Sequence, residues 1–426
     1  MRYRLDRSVQ RFGHVLLGGS PLRLFRLTRA GSAVVDRLAA GEPVDRSKLL
    51  ERLLDAGAVH PVVEPRAGTD ALVTTVMPVR DDHVNPPDGT VVVDDGSDPP
   101  LAISAVRLPV SRGPGAARMA GLDLVTTPLV AFVDADVRVP DGWLDALVAH
   151  FDDERVALVA PRVRSEPGTS LLARYEERRS PLDLGDDPAR IRAGTKVSYV
   201  PAAAIVCRVA ALREVGGFDQ SLGAGEDVDL VWRLDEGGWT CRYEPAVEVW
   251  HRPRRTWPAW IRQRITYGAS AAPLSRRHPG ALAPVRMSGW SAAAWLLAIA
   301  GRPVSSAAIV AGTSAALVRK LPDVPPQASV RLAALGTLRA GESIASAVRR
   351  VWWPIVAVAA LFSRRARLVA VASAALARSP IRVLDDLAYG AGVWRGMWRE
   401  RTLDPLVPDL TSWPGRTSDP RYRPPT

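Results

Sequence analysis

The chain has 426 residues, 47% hydrophobic and 24% charged, a globular composition that excludes wholesale disorder and predicts two or three domains at about 150 residues each. Its two cysteines, Cys207 and Cys241, exclude a disulfide scaffold and a cysteine-ligated zinc site. The net charge of +11 is divided unevenly: residues 1–249 hold 30 basic and 37 acidic side chains, net −7, whereas residues 250–426 hold 26 and 8, net +18. A basic last third on an acidic body predicts an anionic partner surface. No aromatic stacking platform or nucleic-acid motif accompanies the charge, which disfavours nucleic acid and leaves an anionic membrane surface. The opening MRYRLDRSVQRF has no apolar run of the kind a secretory signal needs, so the expected location is cytoplasmic.

Residues 1–65 predict a small unit. YRLDRSVQRF and HVLLGG alternate like strands, Thr28 can cap a helix through AGSAVVDRLAAG, and Asp45 can cap a second with Leu49, Leu50, Leu53 and Leu54 on one face and Gly57 at its end. AVHPVVE then reads as an extended wing. This order resembles the winged-helix peptide-recognition units of ribosomal-peptide modification pathways; a packing appendage is the alternative. EPRAGTD reads as the linker that follows.

Residues 70–255 alternate strands and helices, the signature of an α/β fold. LVTTVMPV, TVVVDDGS, PLVAFVDADV and VALVAPRV read as strands. DGWLDALVAHF reads as a helix capped by Asp141, and GEDVDLVWRLDEGG as a helix with carboxylates in its first turn and Gly237 at its end. Ligands of open α/β sheets collect beyond the carboxyl ends of the strands, where these strands deliver acidic and turn residues.

Residues 256–426 predict a basic helical region. Arginines cut its apolar stretches to 15 residues between Arg286 and Arg302, 16 between Arg302 and Arg319, 13 between Arg350 and Arg364, and 10 between Arg367 and Arg378. A spanning helix needs about 18–20 apolar residues, so no stretch is expected to cross a membrane alone. Tryptophans 290, 295, 352 and 353 beside arginines fit interfacial helices on the inner face of the membrane; Ala-rich core helices fit equally well.

Four pieces carry chemistry. Asp134-Ala135-Asp136 follows an apolar strand, where alternate carboxylates can hold a hard divalent cation together with a diphosphate. Asp227-Val228-Asp229 shows that such a triplet also arises by chance. Val93-Asp94-Asp95-Gly96-Ser97 offers strand-end acids and a tight turn to a base or ribose. Gly113-Pro114-Gly115 opens a helix whose N–H groups and Arg118 suit phosphate, without the Gly-Lys-Ser/Thr of a Walker loop. Gly225-Glu226-Asp227 places Asp227 at a helix start, where Glu226 and a diphosphate would raise its pKa and poise it as a general base.

In this order, with GGFDQSLGAGED and a basic His segment following, the pieces resemble the inverting family 2 glycosyltransferases of the GT-A fold over about residues 70–255. The resemblance implies metal-dependent transfer, with Mn2+ or Mg2+, from a nucleotide sugar to a hydroxyl. Carried over residue by residue, it implies Pro78, Arg80, Asp94, Asp95, Arg118 and Asp134 at the nucleotide sugar. It implies Asp136 and His251 at the metal, Gly217, Phe218, Glu226 and Trp232 at the acceptor, and Asp227 as the base. YEERRSPLDLG, VPAAAIVCRVAALREVGGFD, RQRITYGASAAPLSRRHPG and the opening RFGHVLLGGSPLRLFRLT resemble, more closely, the glycosyltransferases of mycofactocin biosynthesis. That resemblance spans nearly the whole chain. It implies UDP-glucose as donor, a peptide-derived redox cofactor as acceptor and a short β-linked glucan as product. A processive membrane polysaccharide synthase is disfavoured by the absence of a Gln-x-x-Arg-Trp motif, and a peptide-binding scaffold with a degenerate body is the non-enzymatic alternative.

The sequence departs from the pattern in two places. Only DDHVNPPDGT separates the first strand from VVVDDGS, too little for the usual crossover helix; a tight loop is expected there, with a short segment after DDGS. Met119 stands where the family usually has Asn.

Overall fold

The computed structural model describes residues 2–411; the end of the predicted C-terminal region, 412–426, lies outside the described residues. The chain divides into two compact units, Met1–Trp257 and Pro258–Thr426.

The first unit begins with β1 (Arg2–Leu5), β2 (Gln10–Phe12), β3 (Val15–Gly18), β4 (Arg23–Arg26), α1 (Arg29–Ala39), α2 (Lys48–Asp55) and β5 (Val59–Val62). β2, β3 and β4 form an antiparallel sheet, and β1 pairs with β5. The predicted continuous strand YRLDRSVQRF is therefore two strands in two sheets. Asp6 turns the chain between them: its carboxylate accepts the Ser8 N–H at 2.9 Å and lies 3.0 Å from His60 Nε2 on β5. Thr28 caps α1, its hydroxyl accepting the Gly31 N–H at 3.1 Å. Ser47 and not Asp45 caps α2, because its hydroxyl sits three residues before the Leu50 N–H that it accepts. Leu50, Leu53 and Leu54 close a small core with Leu16, Phe25, Val35 and Leu38. Arg46 to Asp153, at 2.7 Å, and Arg190 to Asp55 join these elements to the sheet that follows.

That sheet contains β6 (Val73–Val79), β7 (Val91–Asp95), β8 (Val106–Leu108), β9 (Leu129–Val133), β10 (Val137–Arg138), β11 (Val156–Ser165), β12 (Ala189–Ile191), β13 (Ala204–Arg208) and β14 (Thr240–His251). Its order is β10-β14-β11-β13-β9-β6-β7-β8, with β12 beside β14. The pairs β8–β7, β7–β6, β6–β9 and β11–β14 are parallel; β13 runs antiparallel to β9 and β11. The flanking helices are α3 (Pro114–Leu122), α4 (Trp143–Val148), α5 (Leu171–Arg179), α6 (Val209–Glu214) and α7 (Glu226–Glu236). α4 enters through Gly142 in the left-handed region with no side-chain cap, so Asp141 does not hold the place predicted for it.

No helix joins β6 to β7 or β7 to β8. The predicted loop is present at 80–90, and Val84 and Leu101 from the two crossovers pack onto the apolar cluster of Met77, Val79 and Val92. Two side chains thus cover sheet surface that a crossover helix would otherwise shield from water.

The second unit comprises α8 (Trp257–Ala269), α9 (Ala271–Arg277), β15 (Arg286–Ser288), α10 (Gly289–Ile299), α11 (Pro303–Lys320), α12 (Pro326–Ala347), a π turn at Val348–Trp352, α13 (Trp353–Phe362), α14 (Arg364–Leu376), α15 (Pro380–Glu400) and β16 (Asp409–Thr411), which pairs with β15. The expectation that arginines keep every apolar helix short is corrected here. α12, the π turn and α13 form one 37-residue helix, Pro326–Phe362, long and apolar enough by length and composition to cross a membrane. Arg349 does not break it, because its guanidinium is buried, pairs with Asp386 at 2.7 Å and donates to the Ser373 carbonyl at 2.6 Å. Only 28% of the apolar window is buried, and α13 buries no residue. Leu361 and Phe362, at the turn into α14, are 73% and 86% exposed.

Candidate active site

The predicted nucleotide-side acids hold the chain together around them. Asp94 is fully buried; it accepts the N–H groups of Ser97 at 2.7 Å and Leu101 at 3.2 Å and pairs with Arg107. Asp95 accepts the N–H groups of Arg112 at 2.7 Å and Gly113 at 3.0 Å, and the Ser111 hydroxyl at 2.8 Å. Of the Gly-Pro-Gly turn read as a source of phosphate donors, the Gly113 N–H is thus directed at Asp95. Gly96 has φ +74, and a Cβ there would stand 2.5 Å from the Ser111 nitrogen, so only glycine lets this loop close on the strand end. Arg80 extends from the end of β6 to the Ser111 hydroxyl at 3.0 Å, beyond Pro78 within the strand.

The centre of the site is Arg118. It is 3% exposed, donates to Glu226 at 2.8 Å and to Asp134 at 2.6 Å, and its ring-facing side lies 5.3 Å from the Phe218 centroid. This one guanidinium ties the acidic turn after β9 to the first turn of α7. Burial pushes the Asp134 carboxyl up, against the pull of Arg118. Burial likewise raises Asp136, but the hydrogen bond and charge of His251, together with the charges of Arg254 and Arg252, outweigh it and hold Asp136 below the usual carboxylate range. Asp136 Oδ2 lies 3.3 Å from His251 Nε2 and 3.6 Å from Arg254 Nη2.

Asp227 carries the largest consequence. Burial, then the charge of Glu226, pushes it up to about 7, although Arg118 and the N–H groups of Val228 at 2.8 Å and Ala202 at 3.2 Å favour its anion. A carboxylate near neutrality is matched to taking a hydroxyl proton. The other Asp-x-Asp acid, Asp229, pairs with Arg233 at 2.7 Å, whose guanidinium donates to the carbonyls of Val215 at 2.5 Å and Gly217 at 2.6 Å. It braces the turn before α7.

Of the predicted acceptor residues, Phe218, Glu226 and Trp232 are buried. Phe218 packs edge-on to Phe132 at 5.2 Å, and Trp232 Nε1 donates to the Ser198 carbonyl at 2.7 Å. Gly217 has φ +65, and a Cβ would stand 2.4 Å from Met119 Sδ. That sulfur accepts the Phe218 N–H at 3.3 Å, which explains how Met119 serves where an amide side chain is usual.

Asp136 and His251, side by side, are the residues that could hold a divalent cation. Among the described residues no cluster of three His, Cys, Asp or Glu side chains could hold a metal, and Asp134 is directed at Arg118. A hard cation bound by one or two protein donors and completed by phosphate oxygens suits this pair. Sequence reasoning overlooked Asp82, Arg252 and Arg254; the signal was the Arg-Pro-Arg run directly after His251.

The model for glycosyl transferase family 2 matches residues 85–216. A pre-mycofactocin glycosyltransferase of Mycobacterium tuberculosis, from strains CDC 1551 and H37Rv, is 39% identical over 95% of this chain and 97% of its own length. Among solved structures, a mannosyltransferase from Pyrobaculum calidifontis in complex with GDP-Man and Mn2+ is 17% identical, covers 79% of this chain and 90% of its own, and gives a TM-score of 0.43. S. aureus TarS 1–349 in complex with UDP is 15% identical, covers 47% and 65%, and gives 0.31. The sheet order, the acidic strand ends and a relative matched nearly end to end agree: the chain is a glycosyltransferase with a GT-A core and belongs to the pre-mycofactocin glycosyltransferase family.

Proposed function

We propose that this glycosyltransferase moves glucose from UDP-glucose, with inversion, onto a hydroxyl of a peptide-derived redox cofactor, mycofactocin or its precursor, and repeats the step to build a short β-glucan. The observation that carries the reading is the single guanidinium of Arg118 between Asp134 and Glu226, which fixes the donor side of the site relative to the base. Asp227 takes the acceptor proton as the hydroxyl oxygen attacks the anomeric carbon and UDP departs. Asp136 and His251 would hold Mn2+ or Mg2+, which neutralises charge on the departing diphosphate. Asp95 and Arg80 line the nucleotide end.

Residues 1–65 are suited to recruiting the peptide-derived acceptor, since they carry their own core and are joined by ion pairs to the sheet. The turn between α13 and α14 is suited to an anionic membrane surface at the cytoplasmic face. Its exposed Leu361 and Phe362 precede exposed Arg364, Arg365 and Arg367, which places apolar insertion beside headgroup charge.

Calorimetry of UDP binding tests the donor side. The parent chain is expected to bind UDP in the presence of Mn2+ and lose that binding on chelation or with Asp136→Ala; binding indifferent to both would remove the metal role.

A further inference from the structure

We propose that Arg252 is a donor-diphosphate-binding residue held in reserve by Asp82, so that Asp82 limits how tightly the chain takes up its donor. This rests on the reading of the site as a nucleotide-sugar site.

Arg252 Nη2 donates to Asp82 Oδ2 at 2.5 Å. Asp82 belongs to the helix-free crossover after β6, and Arg252 follows the last residue of β14. The backbone N–H of Arg252 donates to the Asp136 carbonyl at 2.9 Å, which anchors the arginine to the acidic turn. The ion pair therefore links the nucleotide side of the sheet edge to the side where Asp136 and His251 meet.

Asp82 is held at that position from below. Its neighbour Asp81 has φ +51, donates its N–H to the Ser97 hydroxyl at 3.0 Å and accepts the Asp98 N–H at 3.0 Å. A non-glycine residue in the left-handed region is uncommon and is sustained by surrounding contacts. Here those contacts come from the DDGS turn, so the base-side turn sets where the Asp82 carboxylate stands.

The two arginines of the site differ in reach. Arg118 is 3% exposed, between two carboxylates. Arg252 is 41% exposed and its partner Asp82 is 31% exposed, so solvent and ligand reach the pair. A guanidinium fork matches phosphate oxygens in a bidentate manner, and a diphosphate carries more charge than one carboxylate. An incoming diphosphate at Asp136 and His251 can therefore take Arg252 from Asp82. The carboxylate orients the arginine before binding and competes with the ligand for it.

The test is calorimetric titration of the full chain with UDP and Mn2+, in the parent, Asp82→Asn, Arg252→Ala and the double variant, with uridine as the phosphate-free control and a melting curve for each protein. An exposed ion pair is worth up to about 1 kcal/mol, so Asp82→Asn is expected to bind UDP about two- to fivefold more tightly. Arg252→Ala is expected to bind more weakly, the double variant as weakly as Arg252→Ala alone, and uridine binding to stay unchanged. Asp82→Ala should repeat the gain. A parent that binds UDP with metal, while Asp82→Asn shows no gain or the double variant keeps it, overturns this proposal and leaves the donor reading intact. A folded parent that binds no UDP with metal overturns the donor reading and this proposal with it.

Discussion

Glu226 and Asp227 stand side by side in the first turn of α7, yet only Glu226 touches Arg118, at 2.8 Å. Glu226 thereby has a buried cationic partner, and its charge adds to burial in raising Asp227 to about 7. A single peptide step separates a carboxylate that holds the site together from one poised to accept a proton.

The first consequence is a pH profile. The base must be ionised to act, so kcat/KM should rise with pH through about 7 and lose that limb in Asp227→Asn, with kcat lower by about 10²–10⁴. Stability runs the other way. The folded state binds this proton more tightly than the unfolded chain, whose value is 3.8. The contribution of Asp227 is complete below that value and is lost as pH rises through about 7. Asp227→Asn should gain melting temperature over the parent between pH 5 and pH 8; an equal difference at both would contradict the raised pKa.

Removing Arg118 should destabilise more than removing any exposed arginine. Arg118→Met leaves Asp134 and Glu226 without their buried partner, at a cost of about 3–5 kcal/mol in urea unfolding. Arg118→Lys keeps the charge but not the fork, so it should recover part of that loss. A change below about 1 kcal/mol for Arg118→Met would mean the cluster is not held by this cation.

Gly217→Ala should destabilise the turn before α7, since it combines φ +65 with a Cβ 2.4 Å from Met119 Sδ. Met119→Ala removes the colliding sulfur. The pair should therefore be less unstable than the sum of the two single variants, by a margin that denaturant titration resolves. Strict additivity would mean the sulfur contact does not set the strain.

The turn at Ser363 gives a prediction for lipid. The parent chain should sediment with vesicles containing phosphatidylglycerol more than with neutral ones, and Leu361→Asp with Phe362→Asp should abolish the difference. Equal sedimentation of parent and variant would assign the exposed turn to something other than a membrane.

How much of this was legible in the sequence differs by residue. Thr28 as a cap, the strand ending at the DAD triplet and α7 with Gly237 at its end follow local rules, and the structure repeats them. The break in YRLDRSVQRF was hidden because Asp6 turns the chain through a partner, His60, that lies 54 residues away. The length of the Pro326–Phe362 helix was hidden because Arg350, with Arg349 before it, reads as an end to the apolar stretch until Asp386, on another helix, pairs with both. In the site, the acids were legible as types and positions. Which of them are fully enclosed in turns, as Asp94 is, depends on loops that spacing does not reveal.

The measurement that bears most directly on the whole account is release of UDP from UDP-glucose with Mn2+, in the presence of a peptide-derived phenolic acceptor, by the parent chain, Asp136→Ala and Asp227→Asn. The account predicts turnover by the parent, loss in both variants, and retained UDP binding in Asp227→Asn. Turnover by Asp227→Asn at the parent's rate would contradict it, because the proton of the acceptor would then leave by another route.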